Sequence, residues 1–295
     1  MGLMIPWVDI LANRVPSVRD FETTAQEILQ LAGDNRQVIK GAAFWGSIVR
    51  GDLVPGRSDL DLVVVGVDSS MELARGLVRD FQAMAFERRV ALDCHVLSAN
   101  DAYYQTRHGF GPSYRETFTR PHPDFMVGVP LERCFRISPG SVQREMIEKM
   151  NRKLRSTRSR DAIFRLRHAQ DPELIERWLV SSWTNVVRPM RVHVTLGRRL
   201  LWWLNGRLEE DGKHEVINRF LEEKAFEPFH GRYEHLVELD HQYDELLDAA
   251  GKNRVRRGRY LIKTARLLCE NFRVSLDLLS RVTAFMQAGD QARAA

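Results

Sequence analysis

The chain has 295 residues, 44% of them hydrophobic and 28% charged, with a formal net charge of +5. That length accommodates two domains with cores that need no disulfide staples, and the apolar-to-charged balance excludes wholesale disorder. No run approaches the ~18 uninterrupted apolar residues of a membrane span.

The N-terminus, MGLMIPWVDILANRVPS, lacks the basic start and small-residue cleavage site of a secretory signal. Cys94, Cys134 and Cys269 are odd in number and never at C-x-x-C spacing. The cytoplasm is therefore the expected compartment. From Val18 to Ala32, Phe21, Ala25, Ile28, Leu29 and Leu31 recur at helical spacing, with Asp20, Glu22 and Gln26 outward. Val38 to Trp45 is a short apolar run ending at Gly46-Ser47, which predicts a strand and a tight turn. Leu60 to Gly66 is β-branched and continuous, as in a strand buried on both faces. Met71 to Arg88 carries Leu73, Leu77, Phe81 and Met84 at helical spacing, and Val90 to Leu97 predicts a third strand. This order indicates a sheet of mixed direction.

Residues 100–140 read as irregular, with Gly and Pro between Tyr103, Tyr104, Phe110, Tyr114, Phe118 and Phe125. Pro139-Gly140 suggests a boundary. Helices are expected over Ser141–Arg167, Pro172–Asn205, Glu215–Lys224, Tyr233–Ala250 and Val255–Met286. Pro189 should kink or split the second of them. Residues 291–295 read as a frayed tail. The expected fold is thus α+β: a mixed sheet flanked by helices over 1–140, then an all-helical domain over 141–290.

Charge is unevenly spread over these helices. Ser141 to His168 holds nine Lys/Arg against three acids, and Lys252 to Arg273 holds eight against Glu270 alone. Leu208 to Asp248 holds thirteen acids against four bases. Such runs are ordinarily solvated faces that neutralise one another. The alternative is a phosphate-attracting surface beside an acidic one.

The segment richest in chemistry is GAAFWGSIVRGDLVPGRSDLDLVVVG, Gly41 to Gly66. Gly46 and Ser47 follow a strand, where backbone N–H groups and a small hydroxyl can approach a phosphate. Eleven residues intervene between Ser47 and Asp59. Asp59 and Asp61 flank Leu60, and residues i and i+2 of a strand share a face ~6.6 Å apart. Two such carboxylates can hold divalent metal. Asp93 joins them if its strand is the neighbour at ~4.8 Å, with His95 on the same face.

Apolar-Gly-Ser, a gap of about ten, Asp-x-Asp entering a strand and a lone acid in a later strand resemble the polymerase-beta-like nucleotidyltransferases. The resemblance covers Val38 to Leu97, and GSIVRGDLVPGRSDLDL is most similar to bacterial antibiotic (aminoglycoside-type) adenylyltransferases and minimal nucleotidyltransferases. It implies that Gly46 and Ser47 contact a nucleoside triphosphate. Asp59, Asp61 and Asp93 would ligate Mg2+, expected as two ions, with Asp93 as third ligand or general base. Helical domains of this superfamily often supply a cation to the triphosphate, and Lys263 in RRGRYLIKTARLL is the candidate here.

The implied reaction moves a nucleoside monophosphate, first of all AMP from ATP, to an acceptor hydroxyl and releases pyrophosphate. An aminoglycoside-like small molecule is the favoured acceptor, which the acidic run would suit. The alternatives are a toxin–antitoxin or defence enzyme acting on tRNA or protein, a second-messenger nucleotide synthase, and a catalytically idle nucleotide-sensing module. Arg188-x4-His193 matches the R-x(4–6)-H pattern of helical ribonuclease domains, and is read as a chance match among nine histidines. Trp178, Trp183, Trp202 and Trp203 are expected in the core.

Overall fold

The computed structural model describes residues 15–54, 58–100, 122–128, 141–182, 192–206 and 212–294. The chain divides into two compact units, one over Val15–Pro139 and one over Gly140–Ala295. Among the described residues, no helix is long and apolar enough to cross a membrane.

The first unit opens with α1 (Val18–Asp34). Its start is a capping box: Asp20 N–H donates to Ser17 Oγ at 3.3 Å, and Ser17 N–H donates to Asp20 Oδ2 at 2.7 Å. A cap of this kind stabilises a helix by about 1 kcal/mol. Strand β1 (Ile39–Trp45) follows, then one helical turn α2 (Ser47–Arg50), strand β2 (Leu60–Gly66), helix α3 (Met71–Glu87) and strand β3 (Leu92–Ser98). The sheet order is β3-β2-β1-β4, with β4 at Met126–Gly128. β1 pairs antiparallel with β2 and β4, whereas β2 and β3 are parallel. A parallel pair cannot be joined by a tight turn, which is why α3 lies between them in sequence.

The sheet is therefore mixed, as the order of elements predicts. Phe21 and Ile28 of α1 and Val78 and Phe81 of α3 share a core with Ala42, Phe44, Leu62 and Val64. Alternate residues face the other side, where Ala43, Val63, Val65 and Leu97 form a smaller cluster. Apolar residues pointing both ways explain the continuous LDLVVVG.

The β4 strand is a correction, because it lies where the sequence reads as irregular. Three residues are too few for a period to show, and β4 exists through its pairing with β1. Gly128 permits it: φ is +91°, and a Cβ there would strike the Lys40 carbonyl oxygen. Residues 101–121 and 129–140, with most of the aromatic loop and Cys134, lie outside the described residues.

The second unit is helical: α4 (Ser141–Leu154), α5 (Thr157–His168), α6 (Pro172–Ser182), α7 (His193–Asn205), α8 (Lys213–Glu222), α9 (His230–Lys252) and α10 (Arg257–Ala294). The single helix expected over Ser141–Arg167 is two. Ser156 breaks it by capping α5, its Oγ accepting from Ser159 N–H at 3.3 Å, while Ser159 Oγ donates to Lys153 O at 3.0 Å. The expected helix ending at Lys224 stops at Glu222, followed by a 3-10 segment over Lys224–Phe229 that contains Pro228.

Helix α10 continues past Met286 through most of the expected tail to Ala294. Gly289 packs closely there, since a Cβ would stand 2.9 Å from the Trp203 ring. Trp202 and Trp203 are buried, and Trp178 packs against the same core. That core joins Leu196 and Leu200 to Phe220, Tyr233, Leu278 and Val282. Trp183, Arg188 and Pro189 lie outside the described residues.

The acidic run is partly spent inside this unit. Asp240 is buried with its Oδ2 3.6 Å from His193 Nε2, and Lys252 pairs with Asp248 at 2.7 Å. Gln242 donates to Glu238 at 2.6 Å.

Candidate metal centre

β1 delivers its last residue, Trp45, to a turn that requires glycine. Gly46 has φ +80° and ψ −144°, and a Cβ there would meet Asp61 Oδ2 at 2.5 Å. Both the positive-φ backbone and the absent side chain are needed. Ser47 begins the α2 turn, which Gly51 ends in the left-handed conformation. Ser58 then ties the return to β2: its Oγ accepts from Val54 N–H and its N–H donates to Val54 O, each at 2.9 Å. Leu60 N–H donates to Ala91 O at 2.8 Å, aligning the start of β2 with that of β3.

The register does the rest. Trp45 pairs with Asp61 across β1 and β2, and Asp61 pairs with Asp93 across β2 and β3. The three residues form one row on the face away from α1 and α3. Asp59, just before β2, completes a group in which one carboxylate oxygen from each of Asp59, Asp61 and Asp93 lies within 4.8 Å of the others. All three are half-buried. Among the described residues this is the one cluster of metal-ligating side chains.

Its donors are all carboxylate oxygens, the chemistry that hard cations such as Mg2+ take, and partial exposure leaves room for water and substrate oxygens. Negative charges brought this close repel, and a divalent cation removes the repulsion. The residues therefore fit Mg2+.

His95 stands beside the group, its Nε2 3.5 Å from Asp93 Oδ1 and its ring 6.1 Å from that of Trp45. Burial pushes the His95 pKa below its ordinary value, while the Asp93 charge pulls it back up. The imidazole is consequently neutral at pH 7. Cys94 points to the helix-covered side, where burial first and Asp93 second push its thiol up to about 12. It is an inert, protonated packing group, not a nucleophile. Trp45 is not part of the Gly-Ser and Asp-x-Asp motif. Its position directly before Gly46 on an antiparallel strand is the signal that would have found it.

Gly46, Ser47, Asp59, Asp61 and Asp93 thus belong to one end of one sheet. Lys263 belongs to α10 of the second unit, exposed and without an ion pair among the described residues. His193 is a core residue, buried against Asp240 and edge-on to Tyr233 at 6.4 Å. No family model matches the chain, and no curated protein matches it.

Proposed function

We propose that the protein is a Mg2+-dependent nucleotidyltransferase that moves AMP from ATP to an acceptor hydroxyl and releases pyrophosphate. The observation that carries this reading is the register row of Asp61 and Asp93, completed by Asp59 within 4.8 Å and held against the Gly46 turn. Asp59, Asp61 and Asp93 would hold the metal. When bound, Mg2+ supplies positive charge to the α-phosphate oxygens and to the leaving pyrophosphate.

The chain's own residues do the remainder. The Gly46 turn brings backbone close to the carboxylates without a side chain in the way, leaving space for the triphosphate beside Ser47. Asp93 takes the proton of the acceptor hydroxyl. That oxygen then attacks the α-phosphorus, and the bond from the α-phosphorus to the oxygen bridging to the β-phosphate breaks. Neutral His95 orients the Asp93 carboxylate without neutralising it.

The test is incubation with each labelled NTP and Mg2+, first alone and then with aminoglycosides, tRNA and cell lysate. The expected result is a labelled acceptor with stoichiometric pyrophosphate, lost in Asp61→Asn. A labelled oligonucleotide formed without acceptor would make the protein a second-messenger synthase. Absence of pyrophosphate under every condition would make it a nucleotide-binding module.

A further inference from the structure

The second unit concentrates cations at the start of its longest helix. Helix α10 has no acid in its first turn, and Arg256, Arg257 and Arg259 crowd that end. The helix dipole makes a positive charge there unfavourable. Arg257 is paired with Glu176. Arg259, Lys263 and Arg266 continue along one exposed stripe at spacings of four and three, and none forms an ion pair among the described residues. Further along the same helix the pattern changes: Arg273 pairs with Glu270 and Arg281 with Asp277.

Helix α5 adds to the unpaired stretch. Arg155, just before it, donates to Ser280 at 2.5 Å, and Ile163 O lies 3.9 Å from Cys269 Sγ, so α5 runs antiparallel to α10. Its last turn, with Arg165 and Arg167 exposed, therefore falls beside the turn of α10 that carries Arg266. Arg167 is close enough for its charge to act on the Cys269 thiol, three residues from Arg266. Between the arginines, Phe164 is 65% exposed and makes a tilted ring contact with His168 at 4.7 Å. Asp161 is the single acid of α5.

We infer that the exposed face formed by the end of α5 and the first half of α10 binds a single-stranded nucleic acid, with Phe164 as a base-stacking platform between backbone-tracking arginines. Unpaired cations match a phosphate chain in sign and spread, and an exposed aromatic amid arginines matches bases that are free to stack. A purely acidic protein partner would use the cations and have no use for Phe164. This binding goes beyond nucleotidyl transfer and does not require it.

The experiment measures fluorescence anisotropy of labelled single-stranded RNA and DNA with the 295-residue chain, without nucleotide, between about 50 and 200 mM salt. Binding of either oligonucleotide is expected to weaken steeply with salt. Replacing Arg165, Arg167, Arg259 and Arg266 together by Gln should raise Kd at least about tenfold and reduce the slope of log K against log salt by about 3. Phe164→Ala should weaken binding about fivefold or more and leave that slope unchanged. Asp61→Asn should bind like the unaltered chain, which separates this result from the fate of the transfer reaction. The proposal is overturned if the unaltered chain shows no salt-dependent binding, or if the four-Gln variant binds equally well. It is also overturned if Phe164→Ala has no effect while polyglutamate or anionic vesicles compete as strongly as RNA.

Discussion

The α-carbon of Gly46 faces the carboxylate of Asp61 so closely that a methyl group on it would lie 2.5 Å from Oδ2. The same residue combines φ +80° with ψ −144°, a conformation that costs a side-chain-bearing residue about 1–3 kcal/mol. Gly46→Ala should therefore lower the melting temperature and displace Asp61 from the row it shares with Asp93. Mg2+ affinity is expected to fall at least about tenfold and transfer about 10²-fold, since misplacement by ~1 Å is enough for that loss. Calorimetric titration with Mg2+ beside a thermal melt checks both; a variant that melts lower yet binds Mg2+ normally would show that the contact does not position Asp61.

Carboxylates held within 4.8 Å without a cation repel one another. Asp59→Asn or Asp61→Asn should raise the melting temperature in EDTA and abolish most of the stabilisation that Mg2+ brings to the unaltered chain. Transfer should be lost in both variants. Thermal scans with EDTA and with Mg2+ read the metal site without any acceptor, and equal Mg2+ stabilisation of all three proteins would remove the pair from the site.

Asp93 is expected to act chiefly as the base. It lies in register with Asp61, 41% exposed at the side chain and with His95 Nε2 at 3.5 Å. Asp93→Asn should keep Mg·ATP affinity within a few-fold and lower single-turnover rates about 10²–10⁴-fold. A parallel loss of Mg·ATP affinity, partly rescued by excess Mg2+, would make metal holding its chief part and remove it as the base.

In the helical unit Gly197 stands against Tyr233. A Cβ on Gly197 would lie 2.5 Å from the Tyr233 hydroxyl, which is buried and makes no hydrogen bond among the described residues. Tyr233→Phe should leave stability unchanged or raise it, because an unsatisfied buried hydroxyl costs about 1–3 kcal/mol. The ring would keep its stack on Phe220 at 3.9 Å. Gly197→Ala alone should destabilise by about 1–3 kcal/mol. In the Phe background most of that loss should disappear, helped by alanine's ~1 kcal/mol helix advantage. A double-mutant cycle by denaturant unfolding measures the coupling.

Much of this protein is legible in its local patterns. The run LDLVVVG occupies β2 from Leu60 to Gly66, and Met71 starts α3 at the expected residue. The helices at Val18 and Arg257 lie within two residues of their expected starts. Where the reading fails, the cause lies outside the local window. β4 depends on β1, Ser156 outweighs a continuous helical pattern with one cap, and α10 runs past Met286, its expected end, where Gly289 packs against Trp203.

Residue spacing by itself determined that Asp59 and Asp61 share one side of a strand, that a glycine turn precedes them, and that apolar residues fill both faces of the sheet beyond. These follow from periods of 2 and 3.6, which any short window of the chain contains. Only the tertiary structure decided that Asp93 is the neighbour of Asp61, that Trp45 ends the same row, and that Gly46 touches the Asp61 carboxylate. Register between strands separated by a helix is set by burying whole faces at once, and no local pattern encodes that. The same holds for the two basic runs: composition reveals their charge, but the antiparallel packing of α5 on α10 makes them one surface.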